Sequence, residues 1–143
     1  ARDIPVVQSD RGGEVTYHGP GQLVIYFMID VKRSKLGPKT LVRSLQEFTK
    51  SLLKEYSIDS KFIDGAPGVY VREKKIASIG LRISKGKTYH GISINVDMDL
   101  APFGYINPCG YQGLEVTQIK ELNKKVTIKD VERLAIELLE PIF

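Results

Sequence analysis

The chain has 143 residues, 42% hydrophobic and 27% charged, the proportions of one globular domain large enough to bury a core without disulfide help. No apolar run approaches the roughly 20 residues of a membrane span and no signal-peptide pattern opens the chain, so a cytoplasmic location is expected and a membrane one is not. Twenty-one Lys and Arg stand against 17 Asp and Glu, a net charge of +4 that favours acidic partners mildly; with no Lys/Arg block longer than a pair, no zinc-finger spacing and no aromatic RNP-like stretch, nucleic acid is not expected.

In chain order, the first dense feature is Arg11 to Gln22, RGGEVTYHGPGQ, with four glycines, a proline, an arginine and a histidine before an apolar run. A tight turn explains one or two of those glycines; all four together with Tyr17 and His18 point to a loop whose backbone approaches a ligand. The loop matches neither a P-loop nor a Rossmann fingerprint, so a nucleotide phosphate cradle is not indicated. Gln22 to Val31 is nearly continuous in apolar residues and predicts a central strand buried on both faces. Leu41, Leu45, Phe48, Leu52 and Tyr56 then follow helical spacing, predicting a helix over Thr40 to Tyr56 capped by Thr40.

Short extended segments are expected near Lys61 to Ile63 and Gly68 to Arg72, then two longer strands over Lys75 to Ser84 and Lys87 to Val96, joined by a hairpin turn at Ser84–Lys85–Gly86–Lys87. A loop from Asp97 to Gly113 carries Pro102, Gly104, Pro108 and Gly110. Thr127 opens a last helix, with Asp130 as a variant capping box, and Pro141 ends it. Adjacent strands with helices before and after them predict one α+β domain, built on a mixed β-sheet flanked by helices.

Cys109 is the lone cysteine, so it cannot close an intrachain disulfide or supply a Cys-rich zinc site, and no metal site is expected. Its Pro/Gly turn suits an inert packed thiol poorly and points to a reactive one. A thiol nucleophile needs a neighbour that favours the thiolate, and His18, His90 and a lysine are the candidates. Strict alternation puts Lys75 with Ala77, Ile79 and Leu81 on an apolar face, and Lys74 with Ile76, Ser78, Gly80 and Arg82. A desolvated ammonium there would support a thiolate and move a proton, while on spacing alone Lys75 reads as a strand-end lysine reaching into water.

Four ordered segments, RGGEVTYHGPGQ, KIASIGLRI, YHGISINVD and INPCGYQGLEVT, resemble the octanoyltransferase family of lipoate biosynthesis, over nearly all of Gln8 to Ile119. That resemblance implies the fold of biotin and lipoate protein ligases. It implies that octanoyl passes from acyl carrier protein to Cys109 as a thioester, and then to a lysine of lipoyl domains, those of 2-oxoacid dehydrogenase complexes and the glycine cleavage H protein. It implies no cofactor and no ATP. Cys109 matches the family's nucleophile, and Lys75 matches the lysine that lowers its pKa and serves as acid and base. Arg11, Gly12, Gly13, Glu14, Val15, Thr16, Tyr17 and His18 match an acyl-binding loop. Ser78, Ile79 and Gly80 match one further wall of that site, and Gly91, Ile92 and Ser93 the other. Members usually carry a strand and helix upstream of the glycine loop, so residues 1–143 are expected to be one catalytic domain lacking that segment. The competing readings are an ATP-dependent lipoate or biotin ligase, a noncatalytic acyl-binding module, and a Cys–His hydrolase using His18 or His90.

Overall fold

Two amphipathic helices cover one face of a five-stranded sheet. The computed structural model describes residues 3–13, 15–106 and 114–141. The strands are β1 (Gln22–Tyr26), β2 (Lys61–Ile63), β3 (Ala66–Val71), β4 (Lys74–Ser84) and β5 (Lys87–Asn95). Their spatial order is β1-β5-β4-β3-β2, and every neighbouring pair is antiparallel. Among the described residues the mixed character of the α+β sheet comes from one isolated parallel bridge, Lys75 to Val116.

The β4–β5 hairpin closes as its sequence predicts. Ser84 faces Lys87, and the two loop residues Lys85 and Gly86 have φ of 52° and 75°. Positive φ at both central positions is the twist-matched two-residue turn. Helix α1 (Val31–Ser34) occupies the end of the predicted first strand: Asp30 Oδ1 accepts from the Arg33 N–H at 3.0 Å and starts a helical turn instead of extending β1.

Helix α2 (Pro38–Glu55) buries Leu41, Leu45, Phe48, Leu52 and Leu53. Its N-cap is Gly37, not Thr40, because Pro38 at the first helical position needs no N–H partner and already has helical φ. After the short α3 (Ile119–Leu122), helix α4 (Ile128–Leu139) begins at the predicted Thr127/Asp130 capping box. Leu45, Phe48 and Leu52 meet Val69, Ile76, Ala77, Ile92 and Ile94 of the sheet and Val131 and Ala135 of α4 in one buried cluster. Each fully buried leucine contributes about 1.5–3 kcal/mol to that core. Among the described residues, no helix is long and apolar enough to cross a membrane.

The first strand departs from expectation. β1 is an edge strand, and Val24, Tyr26 and Met28 are 40%, 60% and 83% exposed, while Leu23, Ile25 and Phe27 pack on the core. An apolar run looks the same whether its second face is buried or merely apolar, so periodicity cannot distinguish a central strand from this one.

Candidate active site

The site is assembled on the sheet face opposite the helices. The predicted walls, distant in sequence, meet in register: Ser78 faces Ser93, Ile79 faces Ile92 and Gly80 faces Gly91. Alternation then divides them. Ile92 belongs to the core and Ile79 packs against it, so Ser78, Gly80, Gly91 and Ser93 are left as a strip of small residues.

Arg11 and Gly12 lie directly on that strip. A Cβ at Gly80 would stand 2.9 Å from Arg11 Cδ and 3.2 Å from the Gly12 carbonyl oxygen, and one at Gly12 would stand 3.0 Å from the Leu81 oxygen. Glycine here permits close backbone approach of loop to strand. Arg11 Nη1 donates to the Gly12 carbonyl at 2.8 Å, closing the turn in which Gly13 has φ +91°. Val15 is exposed, and the Thr16 hydroxyl is buried without a hydrogen-bond partner among the described residues. Tyr17 sets its ring edge-on to Phe103, 5.4 Å between centroids, tying the loop to the 3₁₀ turn Ala101–Tyr105. His18 Nδ1 lies 2.8 Å from Gln22 Oε1. Glu14 and Cys109 fall outside the described residues.

Lys75 is where strict alternation fails. Val69 faces Ala77, but the next residue of β3, Tyr70, faces Lys75, so one step along β3 matches two along β4. This β-bulge reverses the side-chain order. Cross-strand partners share a face, so Lys75 joins Tyr70, away from Val69, while Ile76 and Ala77 both serve the core. Lys75 therefore does not lie with Ala77, Ile79 and Leu81 as its spacing predicts; it lies on the side of Ser78 and Gly80. It is only 2% exposed, and its stem runs over Gly68, where a Cβ would come within 2.6 Å of Lys75 Cε and 3.4 Å of Nζ. Gly68, which lies against Lys75, is a candidate site residue that sequence reasoning missed; its signal was a lone glycine inside a strand, which marks close approach.

The bulged backbone also pairs with Glu115 and Thr117, which follow Cys109 closely in sequence. The Lys75 N–H donates to the Glu115 carbonyl, and the Thr117 N–H donates to the Lys75 carbonyl, both at 2.9 Å. At the far end of β4, Asp10 accepts from His90 Nε2 at 2.8 Å and pairs with Arg82 Nη1 at 3.4 Å, pinning the start of the loop to the hairpin. His90 reaches it because its φ of 67° breaks the alternation of β5. It is held by Asp10 and lies edge-on to Tyr26 at 5.8 Å.

The His90 hydrogen bond, aided by Arg82, holds the Asp10 carboxyl below its ordinary value. A lowered carboxylate pKa stabilises the pinned loop above the unfolded value, and that contribution is lost as pH falls through the folded value. The Asp10 midpoint, followed by carboxyl NMR, is expected below about 3.9 and should rise toward it in His90→Ala. An unchanged midpoint in that variant would remove His90 as the cause.

A groove of about 600 Å³ runs along α2, lined by Lys39, Arg43, Glu47 and Phe48 among others, and shares no residue with this site.

The sequence matches the lipoyl protein ligase A/B catalytic domain over residues 1–140. The chain belongs to that family. This lipoyl protein ligase A/B domain is 53% identical over 134 residues to the octanoyltransferase of Francisella tularensis subsp. novicida (strain U112), covering 93% of this chain and 65% of that protein. It is 54% identical over 139 residues to the octanoyltransferase of Vibrio atlanticus (strain LGP32), covering 97% of this chain and 64% of that one. It thus spans just under two thirds of the curated relatives' length. Among solved structures, lipoate-protein ligase A bound with ATP superposes with a TM-score of 0.77 at 18% identity, covering 98% of this chain and 59% of that one. The biotin protein ligase from Aquifex aeolicus gives 0.65 at 23% identity, covering 85% and 52%. At such identities these two establish the α+β fold alone.

Proposed function

We propose that residues 1–143 are the catalytic domain of an octanoyltransferase that acts in the cytoplasm and moves octanoyl from acyl carrier protein to lipoyl-domain lysines through a thioester on Cys109. The Cys109 thiolate attacks the thioester carbonyl of octanoyl-acyl carrier protein; the carbon–sulfur bond to the phosphopantetheine breaks, and its thiolate takes a proton from Lys75. The acceptor lysine's amine then attacks the Cys109 thioester, loses a proton to Lys75, and forms the amide as Cys109 leaves. Exchange of one thioester for another followed by amide formation is downhill, so the transfer needs no ATP.

The observation that carries this reading is the backbone pairing at Lys75. Glu115 and Thr117, just beyond the segment that carries Cys109 in the sequence, bond the N–H and the carbonyl of a buried lysine, and Glu115 is only six residues after Cys109. Identity above 50% with named octanoyltransferases supports the choice of acyl group. The strip of Ser78, Gly80, Gly91 and Ser93 under Arg11 to His18 is the region assigned to the acyl chain, with Gly80 N–H or an N–H near Cys109 as oxyanion donor. Glu14, Ile79 and Ile92 complete the residues assigned to it, the two isoleucines through their backbone.

The acceptors are the lipoyl domains of 2-oxoacid dehydrogenase complexes and the glycine cleavage H protein. An acidic carrier protein would be steered by the exposed cations Lys32, Arg33, Lys35, Lys85 and Lys87, gathered where α1 meets the hairpin through the Val31 N–H and the Gly86 carbonyl at 2.7 Å. Intact-mass and peptide analysis after mixing the protein with octanoyl-acyl carrier protein, without ATP, tests the reading. One octanoyl group on Cys109, discharged by an apo lipoyl domain, is expected. An ATP requirement would replace the transferase with a ligase, release of free octanoate would point to a hydrolase, and no adduct would leave a binding module.

A further inference from the structure

A run of hydrogen bonds crosses the sheet end from the glycine-rich loop to Lys75. His18 Nδ1 lies 2.8 Å from Gln22 Oε1, Gln22 Nε2 lies 3.0 Å from Asn95 Oδ1, and Asn95 Nδ2 lies 3.1 Å from the Thr117 carbonyl oxygen. The Thr117 N–H in turn bonds the Lys75 carbonyl. Gln22 and Asn95 face each other across β1 and β5, and Asn95 and Thr117 are only 4% and 3% exposed. Asn95 is buried and Gln22 half-buried, and these bonds hold both amides in place, since burying an amide unpaired costs free energy.

The chemistry of the end groups dictates the direction of the whole run. A backbone carbonyl only accepts, so the Asn95 atom beside Thr117 must be the NH₂ group and the atom facing Gln22 must be its oxygen. That oxygen accepts, so Gln22 turns its own NH₂ toward it; the same NH₂ lies 3.3 Å from the Tyr17 carbonyl, which makes the same demand. Gln22 is left with its oxygen toward His18, and the ring nitrogen it meets must carry a proton.

We propose that Gln22 and Asn95 are positioning residues that hold neutral His18 as the Nδ1–H tautomer, so that its Nε2 is a bare acceptor on the exposed side of the glycine-rich loop. Two fixed carbonyls, those of Thr117 and Tyr17, are the source of that choice. Resting on the acyl-transfer reading, His18 Nε2 is then able to accept a hydrogen bond from an N–H of the incoming acceptor amine, a contact the opposite tautomer cannot make. Because Asn95 bonds the residue that holds the Lys75 carbonyl, the same run keeps the loop in register with the bulge.

The imidazole nitrogens of His18 in the ¹⁵N-labelled protein, recorded well above the histidine pKa, read the tautomer without any activity. Wild type is expected to have Nδ1 protonated and Nε2 bare. Gln22→Leu, which keeps most of the side-chain volume at a half-buried edge position, is expected to move the proton to Nε2 or to give a mixture. Gln22→Glu still offers His18 an acceptor and is expected to retain the Nδ1–H form, at a cost in stability because its second oxygen faces the Asn95 and Tyr17 oxygens. Protonated Nε2 in wild type, or an Nδ1–H form that survives Gln22→Leu in a protein with an otherwise native spectrum, would overturn the assignment. In octanoyl transfer to a lipoyl domain, Gln22→Leu should lower kcat about tenfold with KM unchanged, the net worth of one hydrogen bond, and Gln22→Glu should recover most of it. A tautomer that changes while kcat does not would confine the role to structure and overturn the catalytic part. If wild type itself transfers nothing, the acyltransferase reading fails while the NMR result still decides the tautomer.

Discussion

Lys75→Ala is expected to slow octanoyl transfer by about 10²–10⁴-fold, the usual worth of a positioned acid–base group. Cys109→Ser should take up no measurable octanoyl at all. The Lys75 loss should appear in both half-reactions, because the proposed mechanism uses one side chain as proton donor to the leaving carrier thiolate and as acceptor from the lysine amine once it has attacked the Cys109 thioester. Single-turnover acylation by octanoyl-acyl carrier protein and discharge to a lipoyl domain separate the two. Lys75→Arg should not restore the rate: a guanidinium stays charged at every working pH, so it cannot take the second proton. Lys75 is 2% exposed, and truncation leaves space in the sheet, so circular dichroism must first establish that the variant is folded. A near wild-type rate in a folded Lys75→Ala protein, with free octanoate released, would move the base to a histidine and the enzyme to the hydrolases.

Gly68→Ala is expected to cost both stability and transfer, because its methyl group would press on the Lys75 side chain, 3.4 Å from Nζ. Gly68 has φ +118°, a conformation L-residues rarely adopt, and its added Cβ would lie 2.5 Å from the Ala77 carbonyl oxygen and 2.6 Å from Lys75 Cε. The backbone strain alone is about 1–3 kcal/mol. Ala77 is a bonded part of the β3–β4 ladder and cannot give way cheaply, so relief has to come largely from the Lys75 stem. Denaturant unfolding should show the stability loss. Transfer measured on the fraction still folded should fall by at least about tenfold if Lys75 has been displaced. Full activity in the folded fraction would mean that the position of Lys75 is looser than its burial implies. Gly65→Ala in the neighbouring turn is a suitable control, since it too has positive φ but nothing within 4 Å of its would-be Cβ.

The features legible in the sequence are those decided within a few residues. The Lys85–Gly86 turn, the Thr127/Asp130 cap and the apolar stripe of α2 need only local geometry, and all three are present. The segments Ser78 to Gly80 and Gly91 to Ser93 came from the family resemblance alone; that they pair residue for residue, and that only their small residues share a face, is decided by the β4–β5 register. The features that were not legible depend on a second segment. Tyr70 and Val69 determine how β4 is read across the bulge, and β1 lies at the edge because of where β5 runs. Asn95 gains its meaning from the Thr117 carbonyl, 22 residues away.

The sequence by itself determined the family, through four ordered motifs, and that resemblance is what proposes Cys109 and Lys75 as the catalytic pair. Only the tertiary structure decided which way Lys75 points. Side-chain direction along a strand is a running count of two, and one extra residue, recognisable only from the pairing with β3, resets the count. That reset takes a lysine that alternation assigns to the apolar face and buries it over Gly68, on the same side as Ser78, Gly80 and the glycine-rich loop.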